Sequence, residues 1–175
     1  MHKKFKVLTD STVDLTKEEI EKYGITILPL TALLNNTTYV DNETVTRKEF
    51  IELMANTNEF PKTTQPTLGT VLEKYNELTK DNTEVLAIHL TKELSGTYST
   101  SLQATTMLED TNNKAVSVDS KFVARALAFQ VLKACECAEK GMTIEETLPI
   151  LEEVKANTIL YISLSNLDNL IKGGR

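Results

Sequence analysis

The sequence predicts a three-layer α/β fold: a mainly parallel sheet of four or five strands between helices. Three observations carry this. Short apolar runs alternate with capped amphipathic helices along the whole chain, and a repeated β-α order calls for crossover connections and parallel strands. The run Glu84 to Leu90 is apolar nearly throughout, at Val85, Leu86, Ala87 and Ile88, as suits a strand covered on both faces. The 175 residues are 41% apolar and 25% charged, enough to bury one sizeable core.

The elements follow in order. Phe5 to Thr9 reads as the first strand. Thr16-Lys17-Glu18-Glu19 is a capping box opening a helix that stops near Tyr23-Gly24. Ile25 to Leu30 is a second strand, with Pro29 marking an edge or an end. Asn35-Asn36 signals a turn and Thr37 to Val40 a short return strand. Thr46-Arg47-Lys48-Glu49 is a second capping box, followed by a helix carrying Phe50, Ile51 and Met54 on one face. Asn56 to Pro66 is a polar loop, and a helix then runs from Leu68 to about Lys80. After the Glu84–Leu90 strand come a loop to Gly96 and a helix from Thr97 to Leu108. Ala115 to Val118 is a fourth strand. Phe122 to Lys140 is a long helix stopped by Gly141, and Thr143 caps another that ends near Asn157. Ile159 to Leu164 reads as a fifth strand. Residues 1–165 form one domain on this reading. Residues 166–175, ending Lys172-Gly173-Gly174-Arg175, read as a helix end and the start of a connection to a second domain.

Composition narrows the function. The formal charge is −6, with no basic cluster and no Trp, so a nucleic-acid role has little electrostatic support. No apolar run reaches the ~18 residues of a membrane span, and the basic start lacks the apolar core of a secretory signal. Cys135 and Cys137, two apart on a helix, should point to nearly opposite faces and stay unpaired, which fits a reducing cytoplasm. No His, Cys or carboxylate set has metal-ligand spacing, so neither a metal nor a cofactor is expected.

Ligands of open parallel sheets bind beyond the carboxyl ends of the strands. Four hydroxyl-rich segments can meet there: Thr9-Asp10-Ser11-Thr12, Thr63-Thr64-Gln65-Pro66-Thr67, Leu94-Ser95-Gly96-Thr97 and Asp119-Ser120. Ser95-Gly96-Thr97 is the most suggestive. A glycine permits close backbone approach, and a helix start offers unpaired N–H groups to an anion. The alternative is that Ser95 only caps its helix. Asp10 and Asp119 are either functional acids or caps of the turns that follow them, and the capping reading is favoured. His89, near the end of a buried strand, reads as a hydrogen-bonded core residue rather than a base. Ser11, Ser95 and Ser120 sit in no nucleophile elbow, and no phosphate-binding glycine motif occurs.

Five segments in order, Val7-Leu8-Thr9-Asp10-Ser11-Thr12, Pro61-Lys62-Thr63-Thr64-Gln65-Pro66-Thr67, Leu94-Ser95-Gly96-Thr97-Tyr98, Val118-Asp119-Ser120 and Leu170-Ile171-Lys172-Gly173-Gly174-Arg175, resemble the successive signatures of the DegV family. That family usually has Ser where Thr64 and Thr67 stand, and the hydroxyl is kept. The resemblance implies a bacterial, non-enzymatic lipid carrier that holds a long-chain fatty acid between two domains. The carboxylate would meet Ser95 with Thr63 and Thr64, and Asp10, Ser11, Gly96, Thr97 and Ser120 complete the candidate site. Members of the FakB kind present the acyl group to a separate fatty acid kinase. This chain alone would then leave an apolar wall exposed and tend to dimerise. A small-molecule kinase or phosphotransfer domain related to dihydroxyacetone kinase is the alternative. It needs a His, and only His2 and His89 are available. A plain interaction module without a pocket is a third reading.

Overall fold

A computed structural model of the chain describes residues 3–108 and 114–164, together with Leu167 and Ile171. Its elements are β1 (Phe5–Asp10), α1 (Lys17–Tyr23), β2 (Thr26–Leu28), β3 (Thr31–Leu34), β4 (Thr37–Val40), α2 (Arg47–Ala55), β5 (Lys62–Thr64), α3 (Leu68–Thr79), β6 (Glu84–His89), α4 (Thr97–Thr105), β7 (Ala115–Asp119), α5 (Ala124–Glu139) and α6 (Ile144–Ala156).

The main sheet is parallel throughout, in the order β2-β1-β6-β7. Strand alternation sends neighbouring side chains to opposite faces, and each face has its own core. Phe5, Val7, Leu86 and Ile88 pack with Leu127, Val131 and Ala134 of α5 and Leu151 of α6. Leu8, Val85 and Ala87 pack with Val71 and Tyr75 of α3 and Ala104 of α4. Both faces of β6 are thus covered, as its unbroken apolar run requires. Each fully buried large side chain here contributes roughly 1.5–3 kcal/mol. Cys135 and Cys137 are free and both buried in the first of these clusters, because α5 meets the sheet and α6 at once. Burial pushes the Cys135 thiol up to about 12, which leaves it chemically inert.

The threonine caps form as their motifs require. Thr16, Thr46 and Thr143 each accept from the N3 amide, while Glu19, Glu49 and Glu146 return to the cap amide. Among the described residues no helix is long and apolar enough to cross a membrane.

The chain departs from its sequence reading in three places. The second strand is two strands: Pro29 and Leu30 break it, β2 staying in the parallel sheet and β3 leaving to pair with β4 across Asn35-Asn36. Both asparagines have positive φ (51° and 58°), the geometry of the tight hairpin turn that suits antiparallel strands. The polar stretch read as a loop contains β5, which completes a small antiparallel sheet in the order β4-β3-β5. Three exposed polar residues carry no alternation from which a strand could be read. Finally, the expected fifth strand at 159–164 does not form. Ile159, Tyr161 and Ile162 are 74%, 88% and 62% exposed, without a neighbouring strand to make use of their propensity. Apart from Leu167 and Ile171, the expected connection over 166–175 lies outside the described residues.

Candidate functional site

Because β1, β6 and β7 are parallel, the loops that follow them share one edge of the sheet, with His89 opposite Asp119 in register. The small sheet folds back over that edge through β5, whose Thr63 stands opposite Ala32 of β3.

The loop after β1 is tied down by its own side chains. One oxygen of the Asp10 carboxylate, Oδ1, accepts from the Thr12 amide (3.1 Å) and hydroxyl (2.6 Å). The other, Oδ2, accepts from the Leu90 amide (2.8 Å) and lies 3.2 Å from His89 Nδ1. Burial works against this charge, but the hydrogen bond and charge of His89, then Thr12 and the Leu90 amide, outweigh it and hold Asp10 below its ordinary value. Ser11 Oγ accepts from the Leu30 amide (3.0 Å), which fixes the point where β3 departs.

The imidazole continues inward. His89 Nε2 lies 2.7 Å from Ser101 Oγ, and Ser101 Oγ also meets Ser117 Oγ (2.8 Å) and the Tyr75 hydroxyl. Ser101 Oγ thus joins His89, Ser117 and Tyr75 in one buried network. The order Asp–His–Ser invites comparison with a hydrolase triad. All three residues are fully buried, however, and none lines a described cleft. This is a core polar network, the role expected of His89; Ser101 and Tyr75 carried no sequence signal for it.

At the start of α4, Gly96 rather than Ser95 occupies the N-cap position, and its φ of −76° is open to any residue. The Gln65 side chain occupies the space that a Cβ would take at this position. The Gln65 amide reaches across to donate to Thr100 Oγ1 (2.7 Å), binding the β5–α3 connection to α4. Ser95 Oγ lies 2.9 Å from Thr97 Oγ1 and accepts from the Thr97 amide at 3.3 Å. Gly96 itself offers no side chain to cap the helix. Thr64 Oγ1 pairs with Thr31 Oγ1.

Two adjoining clefts result. The more polar one, of about 450 Å³, is lined by Thr63, Thr64, Gln65, Ser95 and Gly96, with Leu90 and Leu94. A mainly apolar one of about 360 Å³ runs under α2, between Leu30, Ala32, Tyr39, Val45, Phe50 and Ile51. Thr12, Leu30 and Thr63 line both, so the two adjoin. Of the candidate residues, Thr63, Thr64, Ser95 and Gly96 therefore gather around one cleft, and Ser11 lines the other. Asp10 and Ser120 do not line them: Asp10 is buried and engaged, and buried Ser120 Oγ serves the Phe122 backbone at 3.1 Å. Thr97 is buried behind Ser95. Sequence reasoning missed Thr12 and Gln65 as individual residues, although both lie inside the signature segments. It missed Tyr39 and Phe50 outright, since their edge-to-face contact (5.7 Å between centroids) joins strand and helix.

A family model described as "Uncharacterised protein, DegV family" matches residues 4–175. The chain belongs to the DegV family. Among curated DegV relatives, the DegV domain-containing protein lin1977 of Listeria innocua is 42% identical over 174 residues, covering 99% of this chain and 61% of the relative. The chain thus spans about three-fifths of that relative's length. A solved DegV family protein from Thermus thermophilus, described by its fatty acid binding, superposes with a TM-score of 0.88 at 28% identity, over 98% of this chain and 60% of that one. DegV of Bacillus subtilis, described as a fatty acid binding protein, superposes with a TM-score of 0.82 at 34% identity, over 87% and 54%.

Proposed function

We propose that this protein is a carrier that holds a long-chain fatty acid and presents its carboxylate to a fatty acid kinase, doing no chemistry itself. The observation that carries the reading is the adjacency of the two clefts. A cleft lined by hydroxyls shares Thr12, Leu30 and Thr63 with an apolar one, an arrangement that suits an amphiphile with a compact head. The solved relatives from Thermus thermophilus and Bacillus subtilis bind fatty acids, which supports the same ligand class here.

In this reading the carboxylate takes hydrogen bonds from Ser95 and the threonines of β5, with the Gly96 backbone close by. A carboxylate leaving water needs such charge-assisted partners. Neutral donors supply them while leaving one face of the head open to a second protein. The tail lies along Leu30, Tyr39 and Phe50, where each buried methylene adds about 0.8 kcal/mol. His89 is unsuited to the dihydroxyacetone-kinase alternative, because both its nitrogens are engaged and the ring is buried.

Because the resemblance places the fatty acid between two domains and the chain spans 61% of its Listeria innocua relative, mass spectrometry of organic extracts from protein purified at the full length of the relatives tests the ligand class. Stoichiometric fatty acid is expected there. Extracts with none, from protein that also fails to bind added palmitate, would refute the reading. Incubation of the loaded protein with a fatty acid kinase and ATP should then yield acyl phosphate only when both proteins are present.

A further inference from the structure

A third cleft, of about 430 Å³, adjoins the apolar one, where Val13, Leu15, Ile20 and Ile27 line it together with Lys17 and Glu43. Ser11, Asp41 and Arg47 line both, so these three side chains form the partition. Two of them belong to fixed backbone. Ser11 is buried with its hydroxyl on the Leu30 amide, and the Asp41 amide donates to the Leu30 carbonyl (3.0 Å) in a segment bridged to Val45. Arg47 is held differently. It pairs with Asp14 at 2.9 Å and donates to the Val13 carbonyl at 3.2 Å, yet both side chains of the ion pair are more than half exposed. Exposed pairs of this kind hold a side chain weakly. Arg47 also opens α2, none of whose residues is buried.

We infer that Arg47 is a chain-length gate for the acyl tail, a reading that rests on the carrier function proposed above. With Arg47 seated on Asp14, the tail ends in the apolar cleft. With the guanidinium swung into solvent, an arginine can keep its methylene stem along the passage. The last methylenes of a longer chain then pass between Ser11 and Asp41 onto the apolar floor at Val13 and Ile27. Arg47 is a specificity-determining residue in this scheme; it touches the tail and not the carboxylate.

Calorimetric titration of myristate, palmitate, stearate and arachidate into wild type, Arg47→Ala and Arg47→Ala/Ile27→Trp, each at the full length of the relatives, tests this, with thermal melts confirming the fold. Wild-type affinity should rise with length and then level off. In Arg47→Ala the levelling should move to longer acids, which gain roughly fourfold in affinity per additional methylene. Filling the third cleft with Ile27→Trp should restore the wild-type profile. Arg47→Met, which keeps the stem and loses the ion pair, replaces Arg47→Ala if that variant fails to fold. Identical length profiles in all variants would overturn the gate and leave the carrier reading intact. Failure of wild type to bind any of the four acids would remove the carrier reading and the gate together.

Discussion

Asp10 Oδ2 and His89 Nδ1 lie 3.2 Å apart with neither side chain exposing any surface to solvent. The pair joins the ends of two adjacent parallel strands directly beneath the candidate clefts, since Asp10 also orders Thr12 and Leu90. Its role is to hold the edge of the sheet on which the binding loops stand.

Asp10→Asn should therefore destabilise the protein strongly. An amide has one acceptor oxygen where the carboxylate uses two, so an NH₂ group would face donors. Breaking a buried pair of this kind costs about 3–5 kcal/mol, to be read from urea denaturation at pH 7.

The same carboxylate sets an acid limit. Folding lowers the pKa of Asp10 below its ordinary 3.8, so as pH falls the unfolded chain takes up the proton first. Its contribution to stability is complete above that ordinary value and is lost as pH drops through the lowered folded one. Urea midpoints should begin to fall below about pH 5 and go on falling as the pH drops further, less steeply in Asp10→Asn than in wild type. Parallel pH profiles would mean that Asp10 is not the group responsible.

Ser101→Ala separates the core network from the site. It removes the partner of His89 Nε2, Ser117 and Tyr75 together. A loss of roughly 1–3 kcal/mol is expected, visible in the melting temperature, with fatty acid affinity unchanged once the protein is folded. A loss of affinity in the folded variant would place the network in the binding site.

Gly96 and Gln65 should behave as a coupled pair. In Gly96→Ala the new methyl displaces the Gln65 amide and breaks its bond to Thr100. Binding should weaken, and the same change made on a Gln65→Ala background should cost clearly less. Non-additivity of this kind is expected of residues in contact. Additive losses in titration would show that the two act separately.

Much of the fold could be read from the sequence because its signals are local. The three Thr/Glu capping boxes and the unbroken apolar run of β6 each state their structure within a few residues. What was not legible depends on distant neighbours. β5 forms only because β3 lies beside it, and Lys62–Thr64 has no alternation of its own. Residues 159–164 have the composition of a strand without a strand to pair with. The site divides in the same way. Ser95, Gly96, Thr63 and Thr64 were found because hydroxyls and a glycine cluster in short segments. Gln65 matters through Gly96, 31 positions away in the numbering, and Phe50, read only as part of an apolar helix face, through Tyr39, so neither was read as a site residue.

Calorimetric titration of palmitate into wild type and Ser95→Ala, both at the full length of the relatives, tests the central claim most directly. Removing one hydrogen bond to a charged group costs roughly 1.5–3 kcal/mol. One-to-one binding should therefore weaken about tenfold or more in Ser95→Ala, with little change in melting temperature. Equal affinities, or a fall in stability without a fall in affinity, would contradict the account and leave Ser95 as no more than a turn former ahead of α4.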